Sequence, residues 1–249
     1  KPDEIYNLGA QSHVRVSFDI PQFTVQTNAL GVMNLLDVYK YNCPTARFYQ
    51  ASSSEMFGRS VDGDGYQRED TRMEPTSPYG CAKVFGYNIV RHYRFAHNLF
   101  AVNGILFNHE SPRRGSNFVT SKVVKGAVKI KLGMMDELVL GNMDAYRDWG
   151  HSKDYVRAMY MIINHTKPDD FVCATGVTNS VRDMCKYVFD RLDLNYKDYV
   201  TQNPKYMRPA EVDLLVGDSS EALKHLGWKP KTSFEELVKK ILSFLDSKK

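Results

Sequence analysis

No apolar run in this 249-residue chain approaches the length of a membrane span, and no basic-then-apolar stretch opens it. Neither a transmembrane helix nor a secretory leader is therefore expected. Cysteine is scarce. Cys43, Cys81, Cys173 and Cys185 show neither paired metal-ligand spacing nor the density of a disulfide framework, so no metal site is expected and buried thiols in a reducing, cytoplasmic setting fit them. Charge is not massed either: 33 Lys and Arg against 29 Asp and Glu leave +4, spread without a basic tract. That argues against nucleic acid and leaves room for a local anion site. Also missing after every strand-like segment is Gly-x-Gly-x-x-Gly or Gly-x-x-Gly-x-x-Gly, the spacing by which backbone amides and a helix N-terminus hold a pyrophosphate. Repeats and low-complexity segments are lacking too. What remains, 43% hydrophobic and 25% charged residues, is ordinary for a globular protein with a sizeable core, long for one compact domain and short for two.

The pattern along the chain is strand, helix, strand, helix, strand. Strand-like runs at 4–8, 47–51 and 101–107 alternate with helical stretches at about 25–41 and from Tyr79 to about His97, the signature of a parallel sheet with crossover helices. The polar segment 58–76, with Asp62-Gly63-Asp64-Gly65, reads as a surface loop. Beyond Arg114 the pattern is mixed: helices near 119–132, 154–165 and 181–192, strands at 138–140 and 171–174, and capping boxes at Asp218/Glu221 and Ser233/Glu236 before the last two helices. A lysine-rich tail closes the chain. In parallel sheets ligands bind beyond the carboxyl ends of the strands, which is where the polar clusters 8–13, 52–55 and 108–114 fall. Because the chain opens inside a strand, the first strands and the phosphate loop are expected to precede Lys1.

Tyr79 and Lys83 lie one helical turn apart behind Ser77-Pro78, an N-cap and a favoured first helical residue. Side chains at i and i+4 share a helix face, so the Lys83 ammonium can approach whatever the Tyr79 phenol touches. A nearby cation favours the phenolate, so the expectation is a lowered phenol pKa and a general base near neutrality. Of the 15 tyrosines, only Tyr79 has a lysine four residues on. The bland alternative is an ordinary amphipathic helix; the Ser-Pro start and the Ser53-Ser54-Glu55 cluster after the second strand favour chemistry.

These residues resemble the extended short-chain dehydrogenase/reductase family, and within it the GDP-mannose 4,6-dehydratases. The likeness runs through Tyr6 to Val14, Phe48 to Glu55, Asn103 to Gly115, Arg147 to His151, Tyr206 to Asp213 and Leu226-Gly227-Trp228, so it spans essentially the whole chain. It implies a Rossmann-like doubly wound parallel sheet lacking its first strands and Gly-rich loop, with a smaller mixed α/β substrate domain; 1–109 would be the NADP-binding part and 110–249 mainly the GDP-sugar part. The implied reaction is internal: NADP takes hydride from C4 of the mannose unit and returns it to C6 after water is lost, the first step of GDP-fucose and deoxyhexose synthesis. By the same resemblance Tyr79, tuned by Lys83, takes the C4 hydroxyl proton. Glu55 takes the C5 proton, and Ser53, where the family usually has Thr, keeps a hydroxyl for O4.

The resemblance also assigns Leu8, Gly9, Ala10, Gln11, Ser12, Phe23, Lys83, His109 and Arg114 to NADP, with Phe23 replacing a common Tyr. Asn108, Lys122, Arg147, Arg208 and Glu211 match GDP-mannose contacts, the cations for the diphosphate; each alone could be a surface charge. The Arg113/Arg114 loop implies a homo-oligomer, dimer or tetramer, and Trp149 and Trp228 read as packing residues. Two rival readings stand beside this one. A nucleotide-sugar epimerase would not need Glu55, and a dTDP-sugar dehydratase typically has Asp where Ser54 stands. A third reading is a sugar-nucleotide-binding fragment without turnover.

Overall fold

The computed structural model describes residues 1–246. In chain order its strands are β1 (Glu4–Asn7), β2 (Arg47–Ser53), β3 (Ala101–Leu106), β4 (Asn108–Glu110), β5 (Leu138–Leu140), β6 (Tyr146–His151), β7 (Phe171–Cys173), β8 (Thr178–Ser180), β9 (Val200–Gln202) and β10 (Leu214–Leu215). The helices are α1 (Val14–Ser17), α2 (Pro21–Val25), α3 (Gly31–Asn42), α4 (Pro78–His97), α5 (Val119–Lys131), α6 (Ser152–Ile163), α7 (Val181–Asp190), α8 (Ser220–Leu226) and α9 (Phe234–Asp246).

The main sheet has the order β1-β2-β3-β7, parallel throughout, with Tyr6 opposite Tyr49, Tyr49 opposite Val102 and Leu106 opposite Cys173. Successive strand residues face opposite sides. Phe48 accordingly packs with Leu36, Tyr39, Val90 and Tyr93 of α3 and α4, whereas its neighbour Tyr49 packs with Tyr155, Ile162 and Trp228 on the other face. Helices on both faces explain why every residue of β3 is buried. This is the doubly wound α/β arrangement expected of the alternating pattern. Trp228 anchors one face, its indole N–H donating to the Asp154 carbonyl at 2.9 Å.

A second sheet has the order β10-β6-β4, with β8 antiparallel to β6, and a third pairs β5 with β9. Around them α5, α7 and α9 bury Val124, Trp149, Val188 and Leu237 in a separate core. Residues 108–110, read from the sequence as part of a polar cluster after the third strand, form a strand themselves: after Phe107 donates its N–H to the Cys173 carbonyl, the chain leaves the main sheet and pairs Asn108 with Trp149.

Other local expectations shift for identifiable reasons. The helix expected at 25–41 is interrupted by a π-helical turn, Gln26–Leu30. Within it Asn28 exchanges two 2.8 Å hydrogen bonds with the backbone of Gln11, a tertiary contact that such insertions accommodate. The Asp218/Glu221 capping box does not form. Asp218 instead accepts from Ser220 N at 2.9 Å and pairs with Arg68 at 2.9 Å. The Ser233 hydroxyl does accept from Glu236 N, at 3.2 Å. A reciprocal capping box is found at Ser180/Asp183, before α7. The tail expected to be lysine-rich runs beyond the described residues.

Candidate active site

α4 begins where the sequence places it, at Ser77-Pro78, with the Ser77 hydroxyl accepting from Gly80 N at 3.0 Å. Its first turn lies hard against the segment after β2. A Cβ on Gly80 would stand 2.7 Å from the Glu55 carbonyl oxygen and 2.9 Å from Pro75 Cβ, so glycine is what allows this approach. Ala normally stabilises a helix interior relative to Gly. Gly80→Ala is nevertheless expected to destabilise the fold by about 1–3 kcal/mol, the usual cost of overpacking, measured by urea unfolding; a more stable variant would contradict the geometry.

The segments following β1, β2 and β4 open on one cleft of about 710 Å³ at the carboxyl edge of the sheets. Ser53, Glu55, Tyr79 and Lys83 line it together with Asn108, Lys122, Arg147, Arg208 and Glu211. Residues drawn from six distant stretches of sequence thus share one space.

Lys83 is buried, donates to the Ala51 carbonyl at 2.8 Å and lies 5.6 Å from the centre of the Tyr79 ring. Burial pulls its pKa down to about 8. Tyr79 departs from expectation. Burial pushes the phenol up to about 12, and the neighbouring Glu55 charge adds to that; the hydrogen bond with Ser53 and the more distant Arg114 work the other way. The i, i+4 geometry is present, but desolvation outweighs it. Glu55 is also buried, and its Oε1 accepts from Arg208 Nη1 at 3.0 Å.

Charges alternate along the opposite wall. Arg208 also reaches Glu211, at 3.6 Å, and Glu211 accepts from Arg147 Nη2 at 3.0 Å. Arg147 is nearly enclosed and its pKa is lowered by burial and then by Arg208. Burial also disfavours the charge on Arg208, yet Glu55 and Glu211 outweigh it and hold its pKa raised. Lys122 donates to the Val139 carbonyl at 2.6 Å and sits over the Tyr206 ring at 4.5 Å. Asn108 Oδ1 is buried and accepts no hydrogen bond among the described residues. Buried groups of this kind ordinarily find a partner, so it is a ready acceptor for a ligand.

On the sheet side Leu8, Ala10, Ser12, His109 and Arg114 line the same cleft, whereas Gly9, Gln11 and Phe23 do not. The Gln11 backbone is held by Asn28, and Phe23, on α2, stands 56% exposed. His109 Nδ1 lies 2.8 Å from the Phe107 carbonyl, which fixes it as the donor. Its ring stacks on Tyr155 at 4.9 Å, and burial pulls its pKa down to about 4. Trp149, read as packing, stacks on Phe234 yet also borders the cleft.

Two contributors have no signal in the sequence. One is Asn28, an unremarkable amide inside a helical stretch. The other is Glu110, 2% exposed, ion-paired with Arg114 Nε at 3.1 Å. Burial pushes the Glu110 carboxyl up to about 7, against the pull of Arg114. A carboxyl whose folded pKa exceeds its unfolded value supports folding fully below the unfolded pKa and loses that contribution as pH rises through the folded one. Raising pH from roughly 5 to roughly 8 should therefore cost the parent about 2–3 kcal/mol at this site. Glu110→Gln should flatten that part of the profile, read from melting temperatures at both pH values; parallel profiles would sink the assignment.

The family model for GDP-mannose 4,6 dehydratase matches residues 1–241. The GDP-mannose 4,6 dehydratase of Cricetulus griseus is 47% identical, the match covering 97% of this chain and 70% of that protein. The Drosophila melanogaster enzyme of that name is 48% identical over 96% of this chain and 65% of its own length. GDP-mannose 4,6 dehydratase 2 of Arabidopsis thaliana is 49% identical over 96% of this chain and 64% of its own. The chain thus spans about two thirds of the length of these relatives. Among solved structures, RMD from Pseudomonas aeruginosa, complexed with NADPH, superposes with a TM-score of 0.88 at 22% identity, covering 99% of this chain and 82% of that one. The UDP-glucose 4-epimerase of Thermotoga maritima gives 0.86 at 23% identity, with 99% and 78% covered. At such identities these structures speak for the fold alone.

Proposed function

The chain belongs to the GDP-mannose 4,6-dehydratase family, and on that premise we propose that it converts GDP-mannose to GDP-4-keto-6-deoxymannose. The observation that carries this reading is the convergence of Ser53, Glu55, Tyr79 and Lys83 with Lys122, Arg147 and Arg208 on a single cleft. The cations suit a diphosphate, and the unpaired Asn108 oxygen suits a sugar or ribose hydroxyl. NADP, when bound, supplies the hydride acceptor and donor that carries the electrons from C4 to C6. Leu8, Ala10, Ser12, Lys83, His109 and Arg114 line one wall of the cleft and would hold it, Arg114 offering a guanidinium and Lys83 an ammonium to its polar oxygens. Gly9, Gln11 and Phe23 would act there through backbone shape or from outside the cleft.

In this scheme Tyr79 accepts the C4 hydroxyl proton while Ser53 orients O4. The 4-ketone acidifies C5–H, and Glu55 removes that proton. The C6 hydroxyl then departs as water with the proton from Glu55; once the hydride is back at C6, C5 takes up a proton from solvent and Tyr79 gives up the proton it took from the C4 hydroxyl, so the net loss is one water. Lys83, already low in pKa and anchored on the Ala51 carbonyl, gains stability as a cation when the phenolate forms beside it.

The proposal extends to arrangement. Residues 1–109 would form the cofactor half and 110–249 mainly the substrate half, with 171–173 returning to the main sheet. The Arg113/Arg114 loop, with Arg113 exposed, would join copies into a dimer or tetramer. A cytoplasmic location agrees with four unpaired cysteines and with no helix among the described residues long and apolar enough to cross a membrane. The direct test is incubation of the chain with GDP-mannose and NADP, followed by mass analysis for a 4-keto product lighter by one water. No product from this chain, with tight GDP-mannose binding retained, would leave a binding module.

A further inference from the structure

His13 reaches from the loop after β1 to the loop after β4. His13 Nδ1 accepts from Val16 N at 3.3 Å, capping α1, and its Nε2 lies 3.2 Å from the Asn117 carbonyl. Only the neutral tautomer carrying its proton on Nε2 satisfies both contacts. Burial lowers the His13 pKa, in keeping with that neutral form. The ring lies 5.2 Å from Phe118, and Phe118 in turn carries the Arg114 guanidinium 3.6 Å from its centre. Arg114 Nε lies 3.1 Å from the carboxylate of buried Glu110, an ion-pair contact without hydrogen-bond alignment. The two terminal nitrogens of the fork are thereby left for a ligand in the cleft that Arg114, His13 and Phe118 all line.

We propose that His13 is a positioning residue: by clasping the two loops it fixes Phe118, and through it the Arg114 guanidinium, at the angle needed to bind a phosphate of NADP. The inference rests on the reading that this chain binds NADP. A planar guanidinium recognises phosphate by a directed fork, so its orientation sets affinity as well as its charge. Stacking on Phe118 and pairing with Glu110 give that orientation only while residues 117–118 are held, and His13 supplies the side-chain tie from the other loop.

Two substitutions separate the clasp from the helix cap. His13→Asn keeps an acceptor near Nδ1 for capping α1 but removes the Nε2 donor and the ring. His13→Gln keeps a donor near Nε2 and gives up the cap. Binding of NADP is measured by calorimetry and stability by thermal melting. Expected for His13→Asn is a melting temperature close to the parent and NADP affinity weaker by about tenfold, the scale of one charge-assisted contact. Expected for His13→Gln is the reverse, lower stability with affinity largely kept. In an Arg114→Met background the His13→Asn effect on affinity should vanish, since the two act in series. Parent-like affinity in His13→Asn, equal losses in both backgrounds, or joint loss of stability and affinity in both variants would each overturn the proposal. Should the parent bind no NADP, the cofactor reading fails separately. The clasp is then judged by amide exchange over 113–118, expected to quicken in His13→Asn and refuted if unchanged.

Discussion

Tyr79→Phe is expected to lower turnover of GDP-mannose by about 10²- to 10⁴-fold, the range for loss of a positioned acid–base group. The ring stays, and it is the ring that fills the buried site, so the melting temperature should move by only a few degrees. The structure also fixes how the parent responds to pH. Burial holds the phenol up to about 12, so its neutral form dominates under ordinary conditions. The Ser53 hydrogen bond favours the phenolate, and so would a positively charged oxidised nicotinamide at the adjoining wall. The parent's rate should therefore climb with pH through the neutral range, whereas the residual rate of Tyr79→Phe should be insensitive to it. Initial rates of 4-keto product formation across a pH series decide the matter. A variant within a few-fold of the parent, or one retaining the parent's pH slope, would remove Tyr79 from the proton step.

That phenol also shows where sequence reasoning stops. The Ser77-Pro78 start of α4, the Tyr79/Lys83 turn and the buried strands β2 and β3 were legible because each is written in local periodicity and capping chemistry. The pKa of Tyr79 was not, because desolvation depends on what the rest of the chain packs around it. Strands β4, β6, β8, β9 and β10 were missed for a related reason. All but β6 are two or three residues long, and β4 and β6 read as Asn-His-Glu and Tyr-Arg-Asp-Trp-Gly-His, polar runs whose strand character comes from pairing, β4 with β6 and β6 also with β8 and β10. The Asn28–Gln11 exchange spans 17 residues and the Arg208–Glu55 pair spans 153. Neither distance leaves a trace in spacing. Glu110 is the clearest case: inside Asn-His-Glu-Ser-Pro-Arg-Arg it looks like a solvated charge, and only the fold buries it against Arg114.

The Arg208–Glu55 pair bears on the second large effect, that of Glu55→Gln. Glu55 Oε1 is held by the Arg208 guanidinium 3.0 Å away, so this contact must loosen before that oxygen can reach C5–H. A diphosphate offers Arg208 a doubly charged partner on the same wall as Arg147 and Lys122. Substrate binding would then draw Arg208 toward phosphate and free Glu55 when C5–H arrives. Replacing the carboxylate by an amide keeps shape and hydrogen bonding but removes the base. GDP-mannose should still bind, while 4-keto-6-deoxy product falls by about 10²-fold or more. The informative readout uses GDP-mannose deuterated at C5. The parent should release that label to solvent, and Glu55→Gln should retain it while Tyr79 and Lys83 remain intact. Label lost at the parental rate would assign C5 to another base, and unchanged product formation would dismiss Glu55 from the chemistry. The amide also breaks that ion pair, so Arg208 keeps only its looser contact with Glu211 at 3.6 Å. Affinity for GDP-mannose should consequently hold or tighten as turnover collapses, a split that a merely structural carboxylate would not produce.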